Sequence, residues 1–144
     1  MKTKTFLLLC LFLGIGLLQL SAQNGKNGTG TVVYDIYVEN IVSLPVVCNG
    51  AVIDGLSAAG FTLRVVQHFE NGEFVWIHNY LKDIEFKSDL TGEAFNFKAT
   101  EKYYPSTMQD YINYDAIGTK GSHYIMHLHW DDNLGTFEAR GSCH

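Results

Sequence analysis

The stretch FTLRVVQHFENGEFVWIHNYL (61–81) most narrows what this chain can fold into. Two runs that alternate apolar and polar residues flank Asn71-Gly72. Asn-Gly favours a two-residue type I′ turn because both positions need positive φ, so the runs are expected to pair as a β-hairpin. That turn sets Glu70 opposite Glu73, Phe69 opposite Phe74, Gln67 opposite Trp76 and Val65 opposite His78. One face then carries Phe61, Leu63, Val65, Phe69, Phe74, Trp76 and Tyr80, and is expected to meet a core. The other mixes Thr62, Arg64, His68 and Asn79 with Val66, Val75 and Ile77.

The pattern continues along the chain. Short β-branched and aromatic runs at TVVYDIYVE, GAVID, IEFKSDL, EAFNFKATEKYY, DYINYDAIG, SHYIMHLHW and TFEARGSC read as further strands. Thr91-Gly92 and the pair Gly118 and Gly121 mark turns. Pro45 and Pro105 fall outside the best runs, and no segment sustains a helical period. The expected fold is a single antiparallel β-sandwich or flattened β-barrel of about eight strands.

The first residues, MKTKTFLLLCLFLGIGLLQLSAQ, combine lysines, an apolar run from Phe6 to Leu18 and small residues at Ser21 and Ala22. This reads as a secretory signal peptide over 1–23. Its apolar run falls short of the roughly 20 residues a spanning helix needs, so no stable membrane insertion is expected after cleavage. Cys10 lies within the run and not after a lipobox. Asn- and Gly-rich residues 24–31 read as a flexible leader, leaving a β domain over 32–144 that is secreted, periplasmic or at the cell surface. That length, about 120 residues with the leader, supports one core. Cys48 and Cys143 are an even pair in an oxidising compartment and are expected to form a disulfide. A formal charge of −5 without a basic stripe argues against nucleic-acid partners.

The sharpest chemical candidates lie in HYIMHLHW (123–130). Alternation puts His123, His127 and His129 on one face, and Tyr124, Met126, Leu128 and Trp130 on the other. Residues two apart on a strand are separated by about 6.6–6.8 Å and those four apart by about 13 Å. His127 and His129 can therefore share an ion, whereas His123 is a poor third ligand. If Leu128 and Trp130 face the core with Phe137 and Ala139, the loop within DDNLG has an even number of residues. A loop over 131–134 sets His127 opposite Glu138; a turn at Asn133-Leu134 sets His129 there. Two imidazoles and a carboxylate suit zinc, iron or manganese. The plainer alternative is the solvated side of an antiparallel strand, where histidine is ordinary.

Gly121, five residues and then His127-x-His129 resemble the opening of the first cupin motif. In that family a metal-binding Glu follows shortly after, where Asp131, Asp132 and Asn133 stand here, and no second motif follows. Elsewhere, Tyr103, Tyr104, Tyr111 and Tyr114, with Trp76 and Trp130, could stack on sugar rings or serve as core residues. Asp131-Asp132-Asn133 could offer oxygens to calcium, although such a run is also ordinary turn chemistry. Ser106, Ser122 and Ser142 have no nucleophile-elbow setting.

The order of these parts resembles a group of small exported bacterial β-proteins with N- and C-terminal cysteines and no established activity. The matching features are Cys48, the Asn71-Gly72 hairpin, Thr91-Gly92, Gly118 with Gly121, His127 to Asn133-x-Gly135, and Cys143. The resemblance implies export, a β fold and a disulfide, and no particular function. The expected function is non-enzymatic binding of a small molecule, glycan or protein, with His123, His127, His129, Glu138, Tyr103 and Trp130 as candidate binding residues. The alternatives are a metal-dependent or acid–base enzyme using His127, His129 and Glu138, and a structural or inhibitory protein acting through a strand edge.

Overall fold

A computed structural model describes residues 28–144; the expected signal peptide and the first half of the leader lie outside them. The described residues form strands β1 (Gly30–Val38), β2 (Val42–Cys48), β3 (Ala51–Ala58), β4 (Phe61–Glu70), β5 (Glu73–Ser88), β6 (Ala94–Tyr104), β7 (Gln109–Gly118), β8 (His123–Asp131) and β9 (Thr136–Cys143). They make one antiparallel sheet in the order β1-β4-β5-β6-β7-β8-β9, with β3 also joined to β5 and β2 joined only to β3. It does not close into a barrel.

The Asn71-Gly72 turn forms with φ of 52° and 82°, and it pairs Glu70 with Glu73 and Phe69 with Phe74. Beyond that point the expected register gives way. A bulge beside His68 and Phe69 sets His68 opposite Trp76, Gln67 opposite Ile77, Val66 opposite His78 and Val65 opposite Asn79. One unmatched residue reverses the facing of every later side chain. Trp76 and Tyr80 therefore leave the expected core face for the outer face, while Ile77 and Asn79 turn inward.

The run IEFKSDL is the second half of β5, not a separate strand; β5 is continuous over 16 residues. A second irregularity, between Leu81 and Ile84, lets β5 change partner. Its first half pairs with β4, and its last residues pair with β3 through Leu56↔Ser88 and Ser57↔Lys87. β2 was not expected, because Pro45 sits within it. Proline cannot donate to a ladder and is confined to edges, and β2 is such an edge.

The β2–β3 hairpin folds over the inner face of the sheet. Tyr114 Oη donates to the Pro45 carbonyl at 2.6 Å, and Val47 N–H reaches Met126 Sδ at 3.4 Å. Gly141, opposite Met126 on β9, leaves the room that this thioether fills; a Cβ there would collide with it. Val46, Leu56, Phe86, Phe97 and Met126 are fully sealed between the layers, each contributing about 1.5–3 kcal/mol through burial. β2 lies beside β9, yet no ladder joins them. The Cys48–Cys143 disulfide spans that seam, with Cα atoms 6.0 Å apart.

Candidate functional site

Along β6, alternation buries Phe95, Phe97, Ala99, Glu101 and Tyr103 and sends Lys98, Thr100, Lys102 and Tyr104 outward. Registry carries this outer set across the sheet. His78, Lys102, Tyr111, His129 and Glu138 stand side by side in one row, and Tyr80, Thr100, Asn113, His127 and Arg140 in the next. Half-buried rings fill the first row and its margin. His68 stacks on Trp76 at 5.0 Å, Trp76 meets His78 at 4.5 Å, and Tyr111 lies on His129 at 4.4 Å and 4°. Lys102 Nζ sits 5.9 Å from the Trp76 ring centre and 5.0 Å from that of Tyr104. Tyr111 is held by its hydroxyl, which donates to Gln109 Oε1 at 2.8 Å, and Gln109 in turn donates to Asp131. Burial, and then the charge of Lys102, lower His78 below its ordinary value, so it is neutral at pH 7.

Beside the rings runs an open groove of about 290 Å³ lined by Tyr80, Lys82, Lys98, Thr100, Asn113 and His127, among others. Its surface is mainly apolar, with Leu81, Ala99, Ile125 and Met126 in the lining, and polar side chains such as Thr100, Asn113 and His127 stand along it. Such a surface can stack a ring and hydrogen-bond its substituents.

The last hairpin adopts the Asn133-Leu134 turn, so His129 faces Glu138. Even so, the side chains named for metal binding go to separate partners. His127 Nδ1 bonds Asn113 Oδ1 at 2.6 Å, His129 stacks on Tyr111, and Glu138 lies 3.7 Å from Arg140. His123 bonds Asp115 at 2.7 Å. Among the described residues, no group of three His, Cys, Asp or Glu side chains is placed to hold a metal ion. His127 lines the groove and His129 ends the ring row. Tyr103 and Trp130 lie on the inner face; Tyr103 is 9% exposed and Trp130 packs on Phe137 at 4.6 Å.

No protein-family model, curated protein or solved structure matches this chain. Its own geometry must carry the reading.

Behind the ring row, on the inner face, lies a second polar cluster that sequence reasoning missed. Asp110 is 1% exposed and Glu101 8%. Asn79 Nδ2 donates to Glu101 Oε2 at 2.6 Å, and the Asp110 carboxyl is buried against that of Glu101. Burial, and then the neighbouring charge of Glu101, push Asp110 up to about 9. Burial also raises Glu101, against the pull of Asn79. Asp110 is thus a neutral acid at pH 7, sealed from any substrate in this conformation. The signal was available, since both residues hold inward positions on alternating strands.

Proposed function

We propose that this chain is an exported, non-enzymatic binding protein that holds a saccharide against the outer face of its sheet. The observation that carries the reading is the row of half-exposed rings on β5 to β8, with Trp76, Tyr104 and Tyr111 beside an open, mainly apolar groove edged by a few polar side chains. Sugar rings present C–H faces that pack on aromatic faces, and their hydroxyls need partners of the kind Thr100, Asn113 and His127 offer. Export is supported by the basic, apolar start of the sequence and by the Cys48–Cys143 bridge, since disulfides persist in oxidising compartments.

The test is a glycan array followed by titration calorimetry with the secreted protein. Saccharide binding is expected, and Trp76→Ala with Tyr111→Ala should weaken it by roughly tenfold or more, since stacking contacts contribute about 0.5–1.5 kcal/mol each. Circular dichroism should show the sheet intact. Binding to no saccharide, or binding indifferent to both substitutions, would remove the reading.

A further inference from the structure

Three lysines of the outer face, Lys82, Lys98 and Lys102, make no ion pair with another described side chain, although the whole chain has 15 acidic residues against 10 Lys and Arg. Lys82 and Lys98 line the groove, and Lys102 stands among the rings. The ion pairs of the described residues lie elsewhere: Arg64 with Asp35, His68 with Glu70, Lys87 with Glu85, His123 with Asp115 and Arg140 with Glu138. Asp115 lines the same groove and stands directly across from Lys98, but its carboxylate turns to His123 at 2.7 Å and makes no ion pair with the lysine. These lysines are therefore available to a ligand.

Their spacing narrows the ligand. Lys98 and Lys102 lie four residues apart on β6, a rise of about 13 Å, too far for one anion to meet both. Thr100 lies between them, with Asn113 across from it, offering uncharged partners. Repeated anions separated by hydroxyl-rich rings would fit that order. A nucleic acid, with a phosphate every ~3.4 Å along each duplex strand, would bring more negative charge than these lysines meet, against a protein of charge −5.

We propose that the outer face recognises an acidic polysaccharide, with Lys98 and Lys102 pairing with successive carboxylate or sulfate groups while Trp76, Tyr104 and Tyr111 pack on the intervening sugar rings. This rests on the saccharide-binding reading above. Lys102 is the pivotal group, because its ammonium is presented at ring level.

The experiment measures binding of the secreted protein to two matched pairs, polygalacturonate against its methyl ester and dextran sulfate against dextran. At least one anionic polymer should bind roughly tenfold more tightly than its neutral partner, and weaken as salt rises past about 0.1 M. Lys98→Gln/Lys102→Gln should remove that preference, because exposed pairs contribute about 0.2–1 kcal/mol each. Neutral polymers that bind as well as the anionic ones, with loss only in the Trp76→Ala variant, would overturn the charge inference and leave the saccharide reading standing. Binding to none of the four polymers would overturn the inference, while the glycan array decides the broader reading. Single-stranded DNA bound as tightly as the acidic polymers would overturn it in favour of a general polyanion surface.

Discussion

At the scale of single residues, Asp110 has the clearest measurable consequence. The folded protein keeps its proton up to about pH 9, whereas an unfolded aspartate releases it near pH ~3.9. Between those values the folded state binds the extra proton, so stability falls as pH rises, by up to about 1.4 kcal/mol per unit. Glu101 is shifted in the same direction. His78, whose neutral form is favoured by folding, opposes them as pH drops through its ordinary range. Asp110→Asn keeps the shape and removes the titration. It is expected to be more stable than the parent near pH 8 and to show a flatter decline between about pH 5 and 8. Urea unfolding of both proteins at each pH measures this as a difference, which cancels His78. Identical slopes would assign the pH dependence to other groups.

At the scale of elements, β3 is joined to β5 by its ladder and by Asp54, which accepts from Ser88 and Leu90, while β2 meets the inner face through the Tyr114 hydroxyl on Pro45. Tyr114→Phe should cost about 1 kcal/mol and speed amide exchange in β2 and β3 while leaving β4 unchanged; uniform acceleration would mean the hairpin does not loosen on its own. Elements also show what the sequence could reveal. Asn71-Gly72 announced its hairpin because the turn demands positive φ, and the inward parity of Leu128 and Ala139 limited the last hairpin to registers of which one is observed. The bulge beside His68 and Phe69 has no compositional mark, so unbroken alternation places Trp76, His78 and Tyr80 on the inner face and hides the ring row. Pro45 disguised β2, whose tolerance of proline comes from its place at an edge and not from its own residues. His127 and His129 were legible as outward-facing, but their partners, Asn113 and Tyr111, depended on strand order that no local pattern encodes.

At the scale of the whole molecule, the disulfide joins residues 95 apart in sequence. In the chain-entropy account, closing a loop of that size contributes on the order of 4–5 kcal/mol. Cys48→Ser/Cys143→Ser should lower the urea midpoint accordingly, while the ring row, built on β5 to β8, should still form where the variant stays folded. Saccharide binding by that variant at low temperature checks the second point. The seam between β2 and β9 has a further consequence. Each strand there has an unladdered edge, and the cystine is the covalent tie across it, while β3 is joined separately to β5. Reduction would leave β2 held through β3 and its contacts with the inner face, and would uncover two open strand edges of the kind on which another strand can add.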